Sequence, residues 1–299
     1  MLPTGTPSPV EATIQLRDGR KLAYLEVGPS EGTPLIHCHG DPSSRIEVLL
    51  LGEQAILHGV RLIVFDRPGI GHSDPKPGFH LLDWPNDVAE AANQLGIERF
   101  AISGLSGGGP FALACAYKIP ERLTACGLIS AVAPVEYIMR ASSRGMRFAY
   151  KLLDRLPPRL FRALVRRTMA QAARAGVEET EQRLLRNAKR LGIGDQRILR
   201  IPPVRRAYAE TAVESYRQGI QANVEEALLL GKRWPFRVEE ITFERVFLWH
   251  GEQDRIMPIA PARQLAQALP RCQATFYPDT GHLSTVVAHA DDIVGALHV

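Results

Sequence analysis

The sequence predicts an α/β protein: a mostly parallel β-sheet with helices on both faces, interrupted by a long helical insertion. Three observations predict it. Short apolar runs alternate with helical periodicity toward both ends of the chain, the rhythm of βαβ units. The apolar runs are continuous rather than alternating, as in a sheet buried on both sides. Between residues 134 and 240 the strand signal stops and helical periodicity takes over.

Taken in order, residues 1–10 are rich in Pro, Thr and Ser and read as a loose tail. Ala12–Leu16 and Leu22–Val27 flank Asp18-Gly19, the signal of a strand–turn–strand hairpin. Leu35–Cys38 is a short strand running into His39-Gly40-Asp41-Pro42, and Ser43 or Ser44 can cap a helix reaching about Leu57. Val60–Phe65 is an apolar strand, followed by the turn-rich Asp66–Asp74. A helix runs from Asp83 or Pro85 through Leu95, with Trp84, Val88, Ala91 and Leu95 on one face. Arg99–Ser103 is a strand, Phe111–Tyr117 a helix and Leu123–Ser130 a strand.

In the insertion, breaks fall at Pro157-Pro158, Gly176, Gly192–Asp195 and Pro202-Pro203, giving four or five helices. The strand–helix rhythm then resumes: strand Arg245–Trp249, helix Ile259–Leu269, strand Ala274–Tyr277, and a closing helix from Leu283 to Leu297. The domain reading is a body of residues 11–133 and 241–299, with residues 134–240 as a helical lid.

Hydrophobic content of 45% and charged content of 23% are those of an ordinary globular protein. No run approaches the roughly 20 apolar residues that span a bilayer. The N-terminus lacks the basic and apolar regions of a secretory signal, and four scattered cysteines read as reduced and buried, so a cytoplasmic location is expected. The insertion holds 22 Lys and Arg against 12 Asp and Glu, a net of +10, while the remainder nets −6. These arginines read as solvated faces of amphipathic helices, with no aromatic-interleaved patch for nucleic acid.

Chemistry gathers at Gly104-x-Ser106-x-Gly108, a corner between a strand and a helix. Such a corner strains the serine backbone and points its Oγ toward the helix N-terminus, where developing negative charge is favoured. A serine hydroxyl needs a base, a group to orient that base, and donors for an oxyanion. His282, after the last strand, is the candidate base, and Asp254, after the preceding strand, the group that holds its tautomer. Both lie at strand C-terminal ends, where open α/β sheets bind ligands. The oxyanion donors would be the backbone N–H groups of Gly107 and Asp41. The Asp41 carboxylate would oppose an oxyanion, so its side chain is expected to turn away and accept from neighbouring backbone N–H groups. His37 and His39 lie on one strand face, but no third ligand accompanies them and no metal is expected. His39 is read as shaping the oxyanion loop, and Asp66-Arg67 as a structural turn, with an ion pair or loop staple as the other readings.

His39-Gly40-Asp41-Pro42, Asp66–Asp74, Gly104-Leu105-Ser106-Gly107-Gly108, His250-Gly251-Glu252-Gln253-Asp254 and Gly281-His282 together resemble the motif series of the α/β-hydrolase fold superfamily. The resemblance runs from about residue 12 to the C-terminus. It implies an eight-stranded, mostly parallel sheet with a helical cap after the sixth strand. It also implies triad roles for Ser106, Asp254 and His282, with Asp41 and Gly107 as oxyanion donors. Relatives with an aspartate nucleophile are disfavoured by Ser106. The expected activity is carboxylic ester hydrolysis through an acyl-enzyme, with no cofactor. Proline-iminopeptidase-type amide cleavage, carbon–carbon bond hydrolysis, perhydrolysis and a non-catalytic ligand binder are the alternatives. The expected partner is a small ester or amide; homo-oligomerisation is left open. Tyr137, Met139 and Phe148 are candidates for either a lid pocket or plain lid core.

Overall fold

A computed structural model describes residues 9–145, 147 and 158–298. Eight strands form one sheet: β1 (Val10–Gln15), β2 (Lys21–Val27), β3 (Thr33–Cys38), β4 (Val60–Phe65), β5 (Phe100–Leu105), β6 (Leu123–Ile129), β7 (Val246–Gly251) and β8 (Gln273–Tyr277). Their order is β1-β2-β4-β3-β5-β6-β7-β8. β2 is antiparallel to β1 and β4, and all other pairs are parallel. The expected α/β architecture is therefore the one observed.

The sheet is buried from both sides because successive residues point to opposite faces. Ile63 and Phe65 of β4, with Phe100 and Ile102 of β5, join Trp84 and Phe111 on one face. Leu62 and Val64, with Ala101 and Leu105, join Ile293 and Val294 on the other. Covering helices in the body are α1 (Gly52–Leu57), α2 (Trp84–Gln94) and α3 (Gly109–Lys118), joined by three more after β7. Between β6 and β7 lie α4 (Val135–Ala141), α5 (Pro158–Ala170), α6 (Val177–Ala188), α7 (Ile193–Ile198), α8 (Pro202–Ser215) and α9 (Gln221–Leu230), with no strand among the described residues. The last three helices are α10 (Ile259–Ala268), α11 (His282–Ala288) and α12 (Ala290–Leu297).

Several boundaries differ from the sequence reading. The first strand begins at Val10, inside the supposed tail, because residues 10–15 pair with residues 21–26 of β2; residues 1–8 lie outside the described residues. The helix expected from Ser44 to Leu57 is a 3₁₀ turn, Arg45–Leu50, followed by α1. Glycines 192 and 194 do not end a helix: Gly192 precedes α7, which starts inside the expected break. A further break, with Gly219 at φ 93°, divides α8 from α9 and adds a helix. The closing helix splits at His289, and its first turn already contains His282. No helix among the described residues is long and apolar enough to cross a membrane.

Candidate active site

The corner after β5 folds as its glycines dictate. Ser106 sits at φ 51°, a left-handed conformation that costs a non-glycine residue on the order of 1 kcal/mol or more. The turn is too tight for side chains on either side. A Cβ on Gly104 would stand 2.3 Å from the Gly108 carbonyl oxygen, and one on Gly108 would stand 1.9 Å from that of Cys38. Val132 N–H, from the chain leaving β6, donates to the Ser106 carbonyl at 2.9 Å and fixes the corner against the next strand.

The loops after β7 and β8 bring Asp254 and His282 together. His282 Nδ1 lies 2.8 Å from Asp254 Oδ2, and both residues are buried. Asp254 Oδ1 accepts from the backbone N–H groups of Ile256 and Met257 at 2.8 and 2.7 Å. A carboxylate anchored on two backbone donors can hold an imidazole with its Nδ1–H inward and its Nε2 lone pair free, as a general base requires. Ser106 Oγ makes no hydrogen bond to His282 or to any other described residue. Contacts of this kind are commonly long until substrate binds. His250 belongs to the motif that carries Asp254, but the sequence reading gives it no role of its own. It is buried beside the same carboxylate, 3.5 Å from Asp254 Oδ2, and its Nε2–H donates to Met257 O at 2.8 Å. Burial lowers its pKa, against the pull of Asp254.

The loop after β3 adjoins the corner. A Cβ built on Gly107 would lie 3.4 Å from Asp41 N and 3.2 Å from Asp41 Cβ. Neither the Asp41 N–H nor the Gly107 N–H donates to an acceptor among the described residues. Two backbone donors without acceptors among the described residues therefore lie close together beside the strained serine.

The Asp41 side chain departs from expectation. It accepts no backbone N–H; its hydrogen bond is a long one, 3.5 Å, from Asn223 Nδ2 on α9. Burial and the neighbouring Glu226 raise its pKa to about 7, although Arg67 and Asn223 oppose the shift. Within its own loop Pro42 has no N–H, and the Ser44 N–H donates to Thr211 Oγ1 at 3.0 Å. The Gly40 N–H donates to Glu47, whose carboxylate also accepts from Ser43 Oγ and pairs with His37 Nε2 at 2.9 Å.

His39 shapes the loop as expected: its Nδ1–H donates to Gly40 O at 2.8 Å and its Nε2 accepts from Arg67 N–H at 3.2 Å. Burial, and secondarily Arg67, pushes its pKa well below the usual imidazole range. The His37 ring bonds to Ser103 and Glu47. Among the described residues no group of three or more His, Cys, Asp or Glu could hold a metal ion.

Asp66 and Arg67 are staples, but not to one another. Asp66 pairs with Arg45 at 2.8 Å. Arg67 donates to the carbonyls of His39 and Gly40 at 2.5 and 2.8 Å and forms a two-pronged pair with Glu226 of α9. The helical insertion is thereby tied to the loop after β3.

An apolar cleft of about 340 Å³, lined by Ala131, Ala133, Ile138, Ile256, Met257 and Pro258 among others, lies between α4 and the Asp254 loop. Tyr137 does not line it. That ring is buried in the main core and its hydroxyl donates to Glu239 at 2.9 Å. Met139 is half-buried and likewise outside the lining, and Phe148 lies outside the described residues. A polar hollow of about 370 Å³ at the opposite end of the strands, beside Arg61 and Arg99, holds none of the candidate residues.

Sequence reading missed Glu47, Asp195, Asn223 and Glu226. The last two share a legible signal: they are spaced i, i+3 with Leu230 at the next turn, which places polar groups on the buried face of α9.

Fold and corner together define an α/β sheet enzyme scaffold with a strained serine at the end of its central strand. The family model of the α/β-hydrolase fold matches residues 33–288, and the chain belongs to that family. It is 34% identical over 125 residues to a non-heme chloroperoxidase of Streptomyces lividans, a match covering 41% of this chain and 45% of that one. The chain spans less than half the length of the curated relatives it matches. Among solved structures, an α/β-hydrolase fold protein from Nakamurella multipartita superposes with a TM-score of 0.72 at 20% identity, covering 97% of this chain and 99% of that one. A thermophilic esterase from Thermogutta terrifontis superposes with a TM-score of 0.67 at 22% identity, covering 98% and 100%. At these identities the two show the shared fold alone.

Proposed function

We propose that the protein is a serine hydrolase that cleaves carboxylic esters through an acyl-enzyme. The observation that carries this reading is the buried 2.8 Å contact between His282 Nδ1 and Asp254 Oδ2, at the same sheet edge as a serine in left-handed conformation.

In this reading Ser106 Oγ attacks the ester carbonyl carbon while His282 Nε2 takes its proton. The carbonyl oxygen becomes an oxyanion between the N–H groups of Asp41 and Gly107. Collapse breaks the carbon–oxygen bond, and His282 returns the proton to the departing alcohol. Water, deprotonated by His282, then attacks the acyl-Ser106 ester, releases the acid and restores the serine. Residues 134–240 act as the cap over a body of residues 11–133 and 241–299. The cleft beside Met257 would take an apolar acyl or alcohol portion, since one wall begins at Ala131, next to the chain bonded to Ser106, and another continues from the Asp254 loop.

The test is a panel of p-nitrophenyl esters of graded acyl length, with wild type and Ser106→Ala. Turnover by wild type should fall by on the order of 10³-fold or more in the variant, with a small residue from binding and the oxyanion donors. Equal turnover in both would refute the mechanism. A fluorophosphonate probe should label wild type and not the variant; an unlabelled wild type would favour a non-catalytic binder. Faster turnover of aminoacyl-naphthylamides than of esters would move the assignment to amide cleavage.

A further inference from the structure

The short helix α7 of the insertion reaches across the molecule and grips the chain that carries His282. Asp195, in its first turn, is fully buried. One carboxylate oxygen accepts from His282 N–H at 3.0 Å. The other accepts from Leu283 N–H at 3.0 Å, Ser284 N–H at 2.8 Å and Ser284 Oγ at 2.7 Å. The three N–H groups belong to the first turn of α11, where an α-helix has no partners of its own for them. Among the described residues these four donors are the hydrogen-bond partners of its two buried oxygens.

The fit around this contact is tight. A Cβ on Gly281 would stand 2.4 Å from Asp195 Oδ2, and one on Gly194 would stand 2.6 Å from Asp279 O. The same turn touches the other half of the pair: Ile193 N–H donates to Gln253 Oε1 at 3.0 Å, and a Cβ on Gly192 would stand 2.6 Å from Gln253 O. Gln253 immediately precedes Asp254. One helical turn of the insertion therefore presses on both loops that must hold the imidazole and its carboxylate in register.

We propose that Asp195 is a positioning residue for His282: by fixing the backbone of residues 282–284 it sets the imidazole against Asp254, which makes the helical insertion a working part of the acid–base site. This rests on the reading of His282 as the base. Asp195 itself touches neither Ser106 nor the imidazole ring. A carboxylate suits the task because four donors converge on its two oxygens, and an amide at that position would turn an NH₂ group toward some of them.

The experiment compares full-length wild type, Asp195→Asn and Ser284→Ala. Steady-state kinetics on a p-nitrophenyl ester are read beside the downfield proton resonance of a His–Asp hydrogen bond and the thermal midpoint. Asp195→Asn should lower kcat by on the order of 10- to 100-fold with KM little changed, as expected when a catalytic group is misplaced by about an ångström, and should broaden or abolish the downfield resonance. Ser284→Ala, which removes one donor to Asp195 together with the acceptor of the Gly281 N–H but keeps the three backbone donors, should move both readouts in the same direction by less. A lowered thermal midpoint with kcat and the resonance unchanged would overturn the proposal and leave Asp195 a plain helix cap. Should Asp195→Asn fail to fold, a folded Ser284→Ala with unaltered kcat and resonance would overturn it as well. The resonance is read without substrate, so it reports on Asp195 even if the protein proves inactive on esters.

Discussion

Two aspartates at the ends of strands, Asp254 and Asp41, show how one sheet edge treats the same side chain in opposite ways. Asp254 accepts two backbone N–H groups and faces His282, all within 2.8 Å. Asp41 has one donor, Asn223, at 3.5 Å, and an acidic neighbour in Glu226. Donors aimed at the charged form favour it, whereas burial without them disfavours it. The loop after β7 is therefore built around a carboxylate, and the loop after β3 around backbone N–H groups with a carboxyl poorly suited to carrying charge there.

The largest effect that can break this comparison is at Asp254. Asp254→Asn keeps the shape but offers an amide, whose NH₂ can face the imidazole and favour the wrong tautomer. If Asp254 orients a catalytic imidazole, a fall in kcat on the order of 10⁴-fold is expected, as for a carboxylate-to-amide change in a Ser-His-Asp triad. Steady-state kinetics on the best ester decide it; a change of less than tenfold would mean that Asp254 does not orient the base.

The Asp254 loop was legible in the sequence and the surroundings of Asp41 were not, for a physical reason. Strands betray themselves by apolar runs, and β4 begins and ends where its run does, at Val60 and Phe65. Ser106, Asp254 and His282 could be singled out because each follows such a run and the local chemistry restricts what can stand there. Glu226, Asn223 and Asp195 act across 159, 182 and 87 residues of sequence, and nothing local distinguishes a buried, paired acid from a solvated one. The insertion compounded this. Its net positive charge reads as solvated faces, yet its acids include the buried Asp195 and Glu226. Glycines 192 and 194 carried a partial signal, since close approach explains them better than a chain break does.

A middle-sized effect is expected at Glu226. It pairs with Arg67, and both are buried, so Glu226→Gln leaves a guanidinium that still holds the His39 and Gly40 carbonyls but has lost its counter-charge. Removing one partner of a buried pair costs about 3–5 kcal/mol, and the two carbonyl acceptors place this site at about 3 kcal/mol or below. Urea unfolding of wild type and variant measures it. The same substitution removes an acidic neighbour of Asp41 and should lower the pH at which that carboxyl titrates. An unchanged stability would show that Arg67 is satisfied by the loop alone.

The smallest effect at neutral pH and below, and the most specific, belongs to Asp41. Its pKa is raised to about 7 from an ordinary 3.8, chiefly by burial and then by Glu226, with Arg67 and Asn223 pulling the other way. For a carboxyl raised in this way, the stability that goes with the neutral form is fully present below the ordinary carboxylate pKa. It is lost as the pH rises through about 7. Activity should follow the same sign, because a carboxylate formed beside the Gly107 and Asp41 N–H groups repels an oxyanion. At a separation of about 4 Å, like unit charges cost roughly 1 to 4 kcal/mol between bulk-water and protein-surface dielectrics. Wild-type kcat/KM for an ester should therefore decline on the alkaline side with an inflection near pH 7. Asp41→Asn, which keeps the backbone N–H and replaces the carboxyl with a neutral group of the same shape, should flatten that limb and leave the rate in mildly acidic solution nearly unchanged. A variant whose alkaline limb matched the wild type would place the titration elsewhere and end the contrast between the two aspartates.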